Sequence, residues 1–171
     1  MSDPETTQNS LARLLLSINK DLEVLAPIPD LFIRVWVAWV FFKSGLTKTT
    51  TANLSLFGSE VSYPTSLAPN DTTIMLFQYE YSVPLLDYTL AAQLGTAAEL
   101  ILPIFLILGF AGRYAAIALF IFNIVAVISY PDLQAAGLRQ HQLWGIMLLV
   151  TVCHGPGKIS LDHLIKRAFQ R

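Results

Sequence analysis

A long apolar stretch with one carboxylate at its middle limits this chain more than any other feature. Leu90 to Leu108 reads LAAQLGTAAELILPIFLIL, long enough as a helix to cross a bilayer. Glu99 sits near its centre. A carboxylate at that depth costs roughly 2.5–3.5 kcal/mol on insertion scales unless it is paired or protonated. Glu99 therefore calls for a cation on another helix, a proton, or a ligand.

The rest of the chain agrees with a membrane setting. Of its 171 residues, 54% are hydrophobic and 13% charged, whereas soluble domains carry about 25% charge. The apolar residues come in runs, so an integral membrane protein of one domain is expected. The net charge of −1 leaves no nucleic-acid footprint. Met1 to Asn9 lacks the basic start and cleavage site of a secretory signal, so the first hydrophobic span is expected to act as an uncleaved insertion signal. Cys153 is the only cysteine, which excludes an intrachain disulfide and a two-sulfur redox pair. It reads as a small apolar residue near the end of a membrane helix.

The fold class expected is all-α: an integral membrane four-helix bundle with amphipathic interfacial helices at both ends. Residues 1–28 form a polar tail and an amphipathic helix, Ser10 to Leu25, with leucines and Ile18 at helical spacing. Pro27 and Pro29 end that helix. Residues 29–159 form the membrane domain, with spans near 31–48, 83–110, 114–130 and 140–154. The outer loop 49–82 is polar in its first half; Asp71 is expected to cap a short helix, with a strand as the alternative. Residues 160–171 form a second interfacial helix, its Lys166, Arg167 and Arg171 suited to anionic headgroups. Four spans place both termini on one side. Most Lys and Arg residues fall on that side, so the termini are expected in the cytoplasm, with the chain multi-pass in a bacterial inner membrane.

On the first span, Ala38, Phe41, Gly45 and Lys48 fall within about 40° of Arg34 around the helix axis. Lys43 falls opposite and can snorkel. Glu99 is the candidate proton carrier, with Arg34 and Lys48 as its candidate partners; a purely structural ion pair is the alternative. Gln93 and Asn123 are the other mid-membrane polar side chains, readable as interhelical hydrogen bonds or as ligand contacts. His141, with Trp144 one turn on, reads as a headgroup-level anchor, a metal ligand, or a partner for a ligand carbonyl. His154 lies roughly 20 Å further along the helix, too far to share a metal with His141. No metal or nucleotide motif is visible, and no self-contained active site.

Several segments together resemble the DoxX family. They are Arg34…Phe42-x-x-Gly45-x-x-Lys48, Phe77-x-x-Glu80-Tyr81-x-Val83-Pro84, and Glu99-Leu100…Gly109-x-x-Gly112-Arg113. The fourth is His141-x-x-Trp144-Gly145…Gly155-Pro156-Gly157-x-x-Ser160-Leu161-Asp162. The resemblance spans residues 30–165 and implies a four-helix membrane protein. Some such proteins are similar to the small subunit of a thiosulfate:quinone oxidoreductase. Others are linked to membrane redox and thiol-stress systems, or are encoded beside enzymes that make metal-binding peptides.

Two functions are therefore expected of different kinds. One is a membrane subunit of a redox-linked system that binds a quinone or other lipid-soluble ligand near Glu99, with Arg34, Lys48, Gln93, Asn123, His141 and Trp144 as ligand contacts. The other is a non-catalytic anchor, assembly partner or exporter for a small metal-handling or stress-response system. Beyond the lipid bilayer, the expected partner is another protein or a second copy of the chain.

Overall fold

Pro27 and Pro29 open a helix. They occupy the first turn of α1 (Pro27–Lys48), where the missing N–H costs nothing, and Asp30 adds a favourable charge there. The computed structural model describes residues 24–25, 27–56 and 58–170. But for Val24 and Leu25, the helix expected over Ser10–Leu25 lies outside them.

After α1 come β1 (Thr49–Leu56), β2 (Ser59–Pro69), α2 (Asp71–Tyr79), α3 (Tyr88–Leu108), α4 (Gly112–Ser129), α5 (Ala135–His154) and α6 (Leu161–Phe169). The four long helices pack as a ring: α1 lies against α3 and α5, and α4 lies against the same two. Val37, Ala38, Leu106, Ala116, Leu119 and Leu148 are fully buried where they meet. Their outer faces are largely apolar, with Trp36, Phe105, Ile117 and Ile146 all exposed. Two of the four, α3 and α4, are long and apolar enough to cross a membrane. The other two carry more polar residues: Asp30, Arg34, Lys43 and Lys48 in α1, and the run Arg139–Gln142 in α5.

The expectation of an all-α chain is corrected at the outer loop. β1 and β2 form a two-stranded antiparallel hairpin, with Leu56 opposite Ser59 across a turn at Gly58, whose φ is +79°. The strands are exposed along nearly their whole length. With no core face to cover, they show no apolar–polar alternation, and that is why the period-2 signal was missing. The short helix is present, but Asn70 caps it, its side chain accepting from the Thr73 N–H at 2.8 Å. Asp71 is the first helical residue. The Asn70 N–H and the Thr73 hydroxyl both donate to the Lys48 carbonyl, at 2.9 and 3.0 Å. The hairpin base and α2 thus clamp the last turn of α1.

At the far end of the ring, α3 stops at Gly109, which is left-handed with φ +64° and takes a cap no other residue adopts so easily. Ala111 is also left-handed, at φ +48°, an uncommon state for a residue with a Cβ. The Asp162 carboxylate steadies this turn by accepting from the Ala111 and Gly112 N–H groups, both at 2.8 Å. It thereby sits at the positive end of α4.

Candidate functional site

Glu99 faces α1 halfway along α3 and is 5% exposed. The approach is close because Gly45 has no side chain: a Cβ there would lie 2.9 Å from Leu100 Cδ2 and 3.1 Å from the Glu99 backbone. Pro103, four residues after Glu99, has no N–H to give the Glu99 carbonyl.

The carboxylate is paired. Lys48 Nζ lies 2.7 Å from Glu99 Oε2, and the Ser44 hydroxyl donates to Oε1 at 3.2 Å. Lys48 also donates to Ser44 Oγ at 2.7 Å. Ser44 and Lys48 are one helical turn apart, so the three form a closed triangle. The lysine is the partner that the depth of Glu99 demanded. Ser44 escaped the sequence reading, although its spacing four residues before Lys48 was the available signal.

This triangle borders a partly open cavity of about 590 Å³ lined by α1, α2, the segment after it, α3, α4 and α5. The wall is mostly apolar and aromatic. Phe77, Tyr81 and Tyr130 form a run of stacked rings, with centroids 4.7 and 5.0 Å apart. Across it, Trp144 packs edge-on against Phe41 at 5.9 Å and against His141 at 4.8 Å. Ser129 also lines the cavity, but its hydroxyl is buried within the wall and has no hydrogen-bond partner. Burial, and then the Glu99 charge, hold the Tyr81 phenol above its ordinary pKa. Glu80, which accepts from the Tyr130 hydroxyl at 3.2 Å, does the same to Tyr130. Both rings therefore stay protonated at neutral pH, with the Tyr130 proton given to Glu80.

The structure brings Lys48, Glu99, His141 and Trp144 together on this cavity, sets Asn123 behind His141, and keeps Arg34 and Gln93 apart from them. Arg34 is 1% exposed but lies at the opposite end of the ring. Its guanidinium donates to the carbonyls of Pro156, of Ile107 at 3.3 Å and of Ile159 at 2.7 Å. It binds the segment after α5 onto the end of α3. Gln93 is exposed. Asn123 is buried and bonds to His141, as an interhelical hydrogen bond would. Lys43 is exposed, as its place on the helix wheel implied.

The DoxX family profile matches residues 30–131, so this chain belongs to the DoxX family. The match ends before α5, and the His141–Asp162 segment lies outside it. A protein of Haemophilus influenzae described as uncharacterised is 28% identical over 145 residues, covering 81% of this chain and 84% of that one. No solved structure matches. The chain is thus a membrane protein of the DoxX family, in contact with the lipid bilayer.

Proposed function

We propose that this protein is the membrane subunit of a redox-linked system and that it binds a quinone, or a ligand of the same flat, lipid-soluble kind, in the cavity beside Glu99. The observation that carries this is a buried Lys–Glu pair opening onto a mostly apolar space large enough for a ring. About 300–1,000 Å³ is usual for small-molecule sites, and such sites combine apolar walls with a few placed polar groups. The residues fit a quinone on their own chemistry. A quinone ring offers two carbonyl acceptors and two flat faces. Lys48 has spent two of its three N–H groups on Glu99 and Ser44. The third supplies a donor of the required kind. The aromatic walls supply the faces.

When bound, a quinone supplies two-electron, two-proton chemistry. Glu99 would hold or release a proton at Oε1 or Oε2, and Lys48 would keep the carboxylate compensated throughout. The electrons would come from a partner protein. Four spans with cytoplasmic termini in a bacterial inner membrane complete the proposal. It is supported by the apolar outer faces of the four long helices and by α6, whose Leu164, Ile165 and Phe169 are exposed beside Lys166 and Arg167.

Photolabelling by an azido-benzoquinone with an isoprenoid tail tests this on the full chain. Labelling of α1 and α3 should be competed by the unmodified quinone and fall about tenfold or more in Glu99→Gln and Lys48→Met. Unsaturable labelling, or full labelling in both variants, removes the proposal. A second reading, a non-catalytic assembly partner, is favoured by the hairpin. It leaves both sheet edges unpaired and exposes Leu54, Leu56, Val61 and Tyr63. A complex that is lost on shortening the hairpin, in a protein that binds no quinone, would select that reading.

A further inference from the structure

Asn123 on α4 makes two bonds to one residue. Its Nδ2 donates to the backbone carbonyl of His141 at 2.9 Å, and its Oδ1 lies 2.7 Å from His141 Nδ1. A carbonyl has no proton, so the amide nitrogen must face it and the amide cannot be turned round. Oδ1 is then fixed opposite Nδ1, where it can only accept. The proton of the imidazole therefore sits on Nδ1, and the neutral ring presents Nε2 as a bare lone pair. Asn123 is 4% exposed. Gly145 keeps room for it, since a Cβ there would come within 3.4 Å of Asn123 Nδ2. The ring is steadied from the other side by Trp144, and both rings line the cavity.

Both oxygens of the cavity's carboxylate are already engaged. Glu99 takes Lys48 on one oxygen and Ser44 on the other. We infer that His141 Nε2 is the cavity's acceptor for a ligand hydroxyl, and that the site favours a ring carrying O–H, a phenol or hydroquinone, over the same ring without one. Asn123 is the positioning residue that makes this so. The inference rests on the cavity reading above and adds the protonation form of the ligand. Buried sites built to bond a hydroxyl reject analogues that lack it, because a polar group is left unpaired.

A 4-alkylphenol and its methyl ether test this without redox chemistry, on the full chain in lipid nanodiscs. The phenol should bind about tenfold or more tightly than the ether in the unaltered protein. The ratio should collapse toward one in His141→Phe. It should also fall in Asn123→Ala, which frees the ring to turn and to change tautomer. A purely structural role would weaken both ligands alike and leave the ratio unchanged. Should a variant not fold, the 15N spectrum of the histidine-labelled parent gives a second measurement: one histidine with a protonated Nδ1 and bare Nε2, insensitive to solvent pH near neutrality. Equal affinities in the parent, a ratio that survives His141→Phe, or a protonated Nε2 overturns the inference. If the azido-quinone labels but the ratio is one, this inference alone falls; if quinone, phenol and ether all fail to bind, the cavity reading falls with it.

Discussion

Lys48 Nζ and Glu99 Oε2 lie 2.7 Å apart, with side chains only 14% and 7% exposed. The pair joins the last turn of α1 to the middle of α3, directly beside the Gly45 contact. Neither charge is left to itself, because Ser44 bonds to both. Isolated in this setting, either charge would cost several kcal/mol of desolvation, and mutual attraction with good hydrogen-bond geometry is what offsets it.

Breaking the pair from one side should thus be worse than removing it. Glu99→Leu or Lys48→Met alone is expected to destabilise the protein by about 3–5 kcal/mol. The double variant should recover about 0.5–3 kcal/mol relative to the sum. Arg34→Ala combined with Glu99→Leu should instead be additive, since Arg34 is held by carbonyls at the other end of the ring. Thermal unfolding in detergent reads the parent, the three single variants and the two doubles. Coupling between Arg34 and Glu99, or none between Lys48 and Glu99, contradicts the geometry.

Gly45→Ala should be costly despite adding one methyl group. The new Cβ meets Leu100 Cδ2 at 2.9 Å, which can move, and the Glu99 backbone carbon at 3.1 Å, which cannot easily. Overpacking of this kind costs about 1–3 kcal/mol. It should also weaken the bond between Lys48 and Glu99 by parting the helices. A lower melting temperature with unchanged helix content by circular dichroism is the expected result; an unchanged melting temperature would show that the helices are not in tight contact.

How much of this was readable in the chain follows from what each residue signals locally. Glu99 announced a partner because an unpaired carboxylate in apolar sequence is expensive, and Gly45 with Lys48 on one helical face supplied it. Arg34 sits on that same face, yet a helix wheel contains no depth. Its actual partners are the carbonyls of Ile107, Pro156 and Ile159, far away in sequence and invisible to any side-chain pattern. The Asn123–His141 clamp was legible only as two separate polar residues, because its meaning depends on how α4 meets α5. The hairpin was hidden because both of its faces are exposed.

Asp162 is expected to be structural, holding the α3–α4 turn. It accepts from two backbone N–H groups, while its own N–H donates to the Gly109 carbonyl at 3.0 Å. Asp162→Ala leaves both N–H groups without that acceptor at a left-handed Ala111, and should cost about 1–3 kcal/mol. Asp162→Asn keeps one acceptor and should cost less. Ligand affinity in the Glu99 cavity, at the other end of the ring, should change less than twofold in either variant that folds. A selective loss of quinone labelling with full stability would place Asp162 in the ligand site instead.

Alkaline stability should report on Tyr81. Its phenol is held above the ordinary value by burial and by the Glu99 charge. A phenol whose folded pKa is raised favours the folded state while protonated. That contribution is fully present below the unfolded pKa of about 10 and is lost as pH climbs past it toward the folded value. The parent protein should therefore lose stability above about pH 10, and Tyr81→Phe, which cannot ionise, should lose less over the same range. Near neutrality the two should differ only by the missing hydroxyl, since the stack with Phe77 and Tyr130 survives. Melting temperatures measured from neutral pH to about pH 11 separate these contributions. If Tyr81→Phe follows the parent through the alkaline limb, the phenol ionises freely in the folded protein. The aromatic wall would then be open to water rather than closed around the Glu99 cavity.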